Sequence, residues 1–153
     1  MNDTELIRKA VSIATAVHAE QLDKGGMPYI MHPLRVAEKC STTSEKIVAI
    51  LHDTIEDGDI SPEYLLHQGF SKQIVDAVLS VTKQKGEDYE DFVKRAALNP
   101  IGRMVKLRDI EDNMDIRRLS ILDEDAFKRL QKYHRAYQYL ISWHTCKFPW
   151  GKK

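Results

Sequence analysis

The spacing of apolar residues constrains this chain more than any other feature. Between residues 4 and 22, Leu6, Ile7, Ala10, Val11, Ile13, Ala14 and Val17 recur at intervals of three and four. That period gathers them into one stripe of an α-helix and would scatter them over both faces of a strand. The period returns along most of the chain, and no stretch of useful length alternates. "DKGGMPY" ends the first helix with two glycines and a proline. His32-Pro33 opens a short helix through Lys39, since proline suits a first helical turn. Ser44 is the expected N-cap of a third helix, which carries "EKIVAILHDTIED" to about Gly58. Ser61 caps the next, with Pro62 in its first turn and Gly69 as its stop, and "SKQIVDAVLSVT" follows as another. Asp88 to Leu98, Pro100 to about Met114 and Asp123 to His144 complete the set, and the tail from about residue 145 to 153 is expected to dock loosely. The aromatic residues Tyr133, Tyr137, Tyr139 and Trp143 suit either internal packing or an exposed face for homo-oligomer formation. The expectation is a compact all-α fold.

With 153 residues the chain fits a single domain, 1–153, able to bury roughly 70% of its unfolded surface. Lys+Arg and Asp+Glu balance at 23 each, so no overall field draws in nucleic acid or an anionic membrane. An anionic substrate would have to be held by local basic residues. Cys40 and Cys146 form no CxxC pair and no disulfide framework, and no N-terminal apolar signal region or bilayer-length apolar run occurs. A cytoplasmic protein is expected.

Against that background "ILHDTIEDGD", residues 50–59, stands out, with one histidine and four carboxylates directly behind an apolar run. On a helix His52 shares a face with Glu56, and Asp53 with Asp57. His52 and Asp53 would point about 100° apart and could meet one ion only on the flank between them. "PYIMHP" adds His32 beside a turn, and "VKLRDIEDNMD" adds Asp109, Glu111, Asp112, Asn113 and Asp115. A shell of His32, His52, Asp53 and Asp109 would suit a first-row divalent ion with positions left for water and substrate oxygens. Taken alone, a histidine beside an aspartate is more often an ordinary ion pair. The 109–115 cluster could equally be a solvated face neutralised by Arg108, Arg117 and Arg118. His67, His134 and His144 read as surface or packing residues, and His18 as a satisfied structural histidine near the end of the first helix. Spacing and composition stop at a candidate metal site.

The ordered set "AVHAEQ", "KGGMPYIMHP", "ILHDTIEDGDI", "GFSKQIVDAVLSVTK" and "VKLRDIEDNM" resembles the HD-superfamily hydrolase domain of RelA/SpoT-like enzymes, from roughly residue 5 to 140. The resemblance implies a multi-helix HD-domain bundle around one metal ion, usually manganese, that hydrolyses the alarmone (p)ppGpp. It places the metal ligands at His32, His52, Asp53 and Asp109, the catalytic acid/base pair at Glu56 and Asp57, and a nucleotide contact at Asn113. It also implies release of the 3′-pyrophosphate, leaving GDP or GTP. No synthetase domain accompanies it, so no alarmone synthesis is expected.

The chain departs from the family around the substrate. Where relatives read "RKSGEPY", this chain reads "DKGGMPY": Asp23 replaces an arginine, Gly25 a serine and Met27 a glutamate, while Lys24 remains. Where they read "KLADRLHNM", it has "KLRDIEDNM", with Arg108 for alanine, Glu111 for leucine and Asp112 for histidine. Asp23 is expected to weaken the grip on a purine and to repel phosphates. Lys24, Asn113 and Arg108 are the expected substrate contacts, with Arg117 or Arg118 as further cations. Competing readings are an HD-type hydrolase of another nucleotide or diphosphate-bearing substrate, a non-catalytic nucleotide-binding module, and a purely structural bundle.

Overall fold

The computed structural model describes residues 1–145. Cys146 and nearly all of the tail expected to dock loosely lie outside them. The described residues are helical, with no strand and a single isolated bridge between Leu22 and Pro28. The helices run α1 (Asp3–Val17), α2 (Met31–Glu38), α3 (Thr43–Leu51), α4 (Thr54–Asp57), α5 (Pro62–His67), α6 (Lys72–Ser80), α7 (Tyr89–Leu98), α8 (Pro100–Asn113) and α9 (Glu124–Ile141), with 3₁₀ turns at Ile116–Arg118 and Trp143–Thr145. No helix among them is long and apolar enough to cross a membrane.

Most helix starts follow from their caps. Ser61, Ser71, Asp88, Asn99 and Asp123 each accept a backbone N–H of the first turn. For α3 the cap is Thr42, two residues before the expected Ser44. Its hydroxyl accepts Glu45 N–H at 3.2 Å while the Glu45 carboxylate accepts Thr42 N–H at 3.2 Å, a reciprocal capping box. Helix α1 ends at Val17, five residues short of expectation, because Gln21 and Leu22 turn to pair with the loop that follows. Helix α9 ends at Ile141, and beyond its C-cap Ser142 the chain continues as the 3₁₀ turn Trp143–Thr145.

The largest departure lies in the third helix. Expected to run unbroken to Gly58, it stops at Leu51, and α4 starts afresh at Thr54. Side chains take over the orphan carbonyls there: His52 Nδ1–H donates to Ala49 O at 2.6 Å and the Thr54 hydroxyl to Leu51 O at 2.7 Å.

Helix α3 is the hub of the larger core. Its Ile47 to Leu51 run is wholly buried and packs on α1, α2, α6 and α8. A second, smaller core joins Val93, Ala97, Ile110, Ala136 and Leu140. Tyr133, Tyr137, Tyr139 and Trp143 are part-buried against it, so these aromatic residues pack internally. Helix α8 serves both cores, Val105 in the first and Ile110 in the second. Between those contacts its polar residues Lys106, Asp109 and Asp112 are buried as well. A helix lodged between two cores carries no simple apolar stripe, and its buried polar residues mark the site.

Candidate metal centre

Three elements bring the side chains together. His32 lies in the first turn of α2, His52 and Asp53 form the interruption between α3 and α4, and Asp109 sits on α8. One ligand atom each from His32, His52 and Asp109 falls within 4.8 Å of the others. His32 Nε2 is 3.0 Å and His52 Nε2 3.5 Å from Asp109 Oδ1, and Asp53 Oδ2 is 3.0 Å from His52 Nε2. His52 and Asp53 lie at the junction of α3 and α4, where the two side chains approach each other to 3.0 Å.

The hydrogen bonds behind these atoms fix what faces inward. His32 Nδ1 lies 2.7 Å from Asp112 Oδ2, and a carboxylate only accepts, so Nδ1 carries hydrogen. His52 Nδ1 is likewise committed as a donor to Ala49 O. In a neutral imidazole each Nε2 then presents a lone pair, and both lone pairs confront carboxylate oxygens. His52 Nε2 is buried without a hydrogen bond. Four acceptors facing one another need positive charge between them, supplied by protons or by a cation. Burial alone would lower the basicity of His52, but Asp53 and Asp109 overcome it and hold the ring well above the ordinary histidine range; His32 is raised more mildly by Asp109 and Asp112. Two imidazoles and two carboxylates form a donor set fitted to a first-row divalent ion.

Three residues reinforce the centre that the motif spacing had not singled out for it. Lys106, buried, donates to Asp109 Oδ2 at 2.9 Å with its ammonium 4.3 Å from the Phe92 ring centroid. Tyr29 donates its hydroxyl to Asp53 Oδ2 at 2.5 Å. Asp112 holds His32 and is itself surrounded by Arg35, Lys39 and Arg118. A capping signal exists for Thr42, but nothing in the residue order marks these long-range partners. Asn113, as expected from its shared face, donates to Asp109 Oδ1 at 2.9 Å.

Glu56 and Asp57 stand outside this enclosure. Glu56 accepts Lys83 N–H at 2.6 Å; partial burial, with the charges of Asp53 and Asp57, raises its carboxyl above the usual range despite that bond. Asp57 accepts from Gln21 Nε2 at 3.1 Å. Gln21 in turn accepts from His18 Nδ1 at 2.8 Å and lines a cavity of about 330 Å³. Lys24, Tyr29, Asn113, Arg118, Arg129 and Tyr133 are among the other walls. Because Tyr29 and Asn113 also bind Asp53 and Asp109, the cavity abuts the metal centre.

Two expectations about this cavity are corrected. Arg108 is absent from its walls and pairs instead with Glu111 at 2.8 Å, as neighbours one turn apart do. Asp23 does not present a free negative charge. Its Oδ1 accepts Gly25 and Met27 N–H, both at 2.9 Å, and its Oδ2 lies 3.3 Å from Arg118 Nη2, leaving the side chain 5% exposed.

No protein-family model matches the chain. Over 84% of its length it is 33% identical to the guanosine-3′,5′-bis(diphosphate) 3′-pyrophosphohydrolase of Aquifex aeolicus. It is 30% identical to the enzyme of the same name from Vibrio cholerae, again over 84% of this chain. The chain spans about a fifth of the length of these relatives, 20% of each. A solved structure of a metazoan ortholog of SpoT, described as hydrolysing ppGpp and acting in starvation responses, matches with a TM-score of 0.73. That match covers 89% of this chain and 85% of the other at 20% identity, which establishes the shared fold. In sequence the chain is related, over most of its length, to a portion of the (p)ppGpp pyrophosphohydrolases.

Proposed function

We propose that this chain is a metal-dependent phosphohydrolase that removes the 3′-pyrophosphate of (p)ppGpp. His32, His52, Asp53 and Asp109 would hold one divalent ion, manganese in our reading. The observation that carries the proposal is the pair of Nε2 atoms turned toward two carboxylates with both Nδ1 atoms committed elsewhere. When bound, the ion would lower the pKa of water and offset charge on phosphoryl oxygens.

The chain's own residues then have distinct tasks. Water adds to the phosphorus attached to the ribose 3′-oxygen, the bond to that oxygen breaks, and a proton ends on it, yielding pyrophosphate and GDP or GTP. Glu56, whose carboxyl is made more basic by partial burial and by Asp53 and Asp57, is suited to take the water's proton. Asp57, aimed by Gln21 from the cavity wall, would relay a proton toward the leaving oxygen. Lys24 and Arg129 on the cavity wall supply local positive charge for phosphates, and neither has a salt-bridge partner among the described residues. Tyr29, Tyr133 and Asn113 offer stacking surface and an amide for a base. A nucleotide substrate and a chain with its described cysteine buried and unpaired suit the cytoplasm.

A second reading, hydrolysis of another nucleotide or diphosphate-bearing substrate, is favoured by one observation. Asp23 caps its own loop where relatives carry a cation. A panel of nucleotides incubated with manganese separates the readings. Pyrophosphate and GDP from ppGpp support the proposal; cleavage of a different member supports the second reading; cleavage of none leaves at most a binding module.

A further inference from the structure

Asp112 stands where the related motif has a histidine, and the structure gives it more partners than a surface-helix carboxylate needs. Its side chain is 2% exposed. Oδ2 accepts from His32 Nδ1 at 2.7 Å and from Arg118 Nη1 at 2.7 Å, while Arg35 Nε reaches Oδ1 at 3.0 Å and Lys39 Nζ lies 3.5 Å from it. Arg35 Nη2 adds a second contact to Oδ2 at 3.1 Å, and Arg118 Nη1 also donates to the Asp112 carbonyl at 2.9 Å. Three cations fix the carboxylate, and the carboxylate fixes one imidazole.

We propose that Asp112 is a positioning residue for His32, and that Arg118 makes it a common anchor for the metal ligand and the cavity wall. The inference rests on the reading of His32 as a ligand. Asp112 accepts the Nδ1 hydrogen and so keeps Nε2 directed at Asp109 and His52; a flipped ring would lose that bond. A carboxylate behind a ligating histidine also strengthens the ring as a donor. The other arm of the Arg118 guanidinium reaches Asp23 Oδ2, and Asp23 closes the loop through Gly25 and Met27. At Gly25 the loop runs so close to the Arg118 carbonyl that a Cβ would collide with it. One guanidinium thereby ties residues 23–27 of the cavity rim to the carboxylate that orients His32.

The test reads manganese affinity of the metal-free full chain by competition with a chromophoric chelator, without substrate. Asp112→Ala is expected to weaken binding about 10- to 100-fold. The isosteric Asp112→Asn, which keeps an acceptor but loses the charge, should fall between that variant and wild type, so it remains informative if the alanine variant misfolds. Arg118→Ala should weaken manganese severalfold and raise KM for the nucleotide, whereas Lys72→Ala, in an exposed pair, should change neither. Ring ¹⁵N NMR should find His32 hydrogen-bearing at Nδ1 in wild type and mixed between tautomers in Asp112→Ala. Folded Asp112 variants with wild-type manganese affinity and an unchanged His32 tautomer would overturn the anchor. A wild-type chain that binds manganese but cleaves no nucleotide would overturn the phosphohydrolase reading alone.

Discussion

The two halves of the site are built on opposite plans. His32, His52 and Asp109 are 1%, 2% and 5% exposed, and each has a second contact on the side away from the centre: Asp112, Ala49 O and Lys106. Glu56 and Asp57 are exposed, and their hydrogen bonds come from Lys83 N–H and Gln21 respectively. Acceptors that must stay close despite mutual repulsion require burial and backing. Glu56 and Asp57 keep the solvent access that the proposed proton transfer calls for. The same short stretch of chain, residues 52–57, moves from one plan to the other.

Several measurements would break or sharpen that contrast. Asp109→Ala should have the largest effect, because it abolishes manganese retention and leaves the Lys106 ammonium buried and unpaired. Loss of a buried partner costs about 3–5 kcal/mol, readable as a lower urea midpoint. Wild-type stability would mean the enclosure is not what holds the centre. Glu56→Gln should lower turnover about 10²- to 10⁴-fold with manganese affinity unchanged. Because folding raises the Glu56 pKa, its ionised form is disfavoured in the folded chain. The glutamine variant should therefore melt no lower than wild type above the usual carboxylate range.

A smaller effect concerns pH. Without metal, the raised pKa values of His32 and His52 contribute stability that is complete below the unfolded histidine value of about 6.5 and is lost as pH rises through their folded values. The depressed Asp53, Asp109 and Asp112 contribute stability present above about 3.9 and lost as pH falls through theirs. Metal-free protein should thus be most stable between those limits, and manganese should raise Tm more at pH 8 than at pH 5.5. An equal rise at both would argue that protons do not substitute for the ion. Smallest of all, Thr42→Ala should cost about 1 kcal/mol at the start of α3 and leave manganese affinity alone.

The all-helical fold was legible because apolar period and caps agree along most of the chain. The candidate ligands His32, His52, Asp53 and Asp109 stand out in the sequence because they sit in an ordered series of motifs, and the structure places His32, His52 and Asp109 around one point with Asp53 3.0 Å from His52. Arg108 does not line the cavity because neighbours on a helix diverge by about 100°, so a cation beside Asp109 need not share its direction. Asp23 was misjudged because its charge was read without the amides of its own loop, which only the folded turn supplies. Lys106 gives no signal as a charged residue in a mixed sequence, and Asp112 shows only as a departure from the related motif, without its partners. Their importance comes from α8 lying between two cores, a fact of packing rather than of local pattern.

The break after Leu51 has a consequence for how this chain can change. Each residue added to a helix rotates everything beyond it by about 100°. The two-residue link at His52–Asp53 therefore sets the bearing of α4, and with it Glu56 and Asp57, relative to the enclosure behind. A single insertion or deletion there would swing Glu56 and Asp57 away from the enclosure while leaving both side chains present. Spacing between positions 51 and 54 is accordingly a constraint in its own right, beside the identity of the two residues it contains.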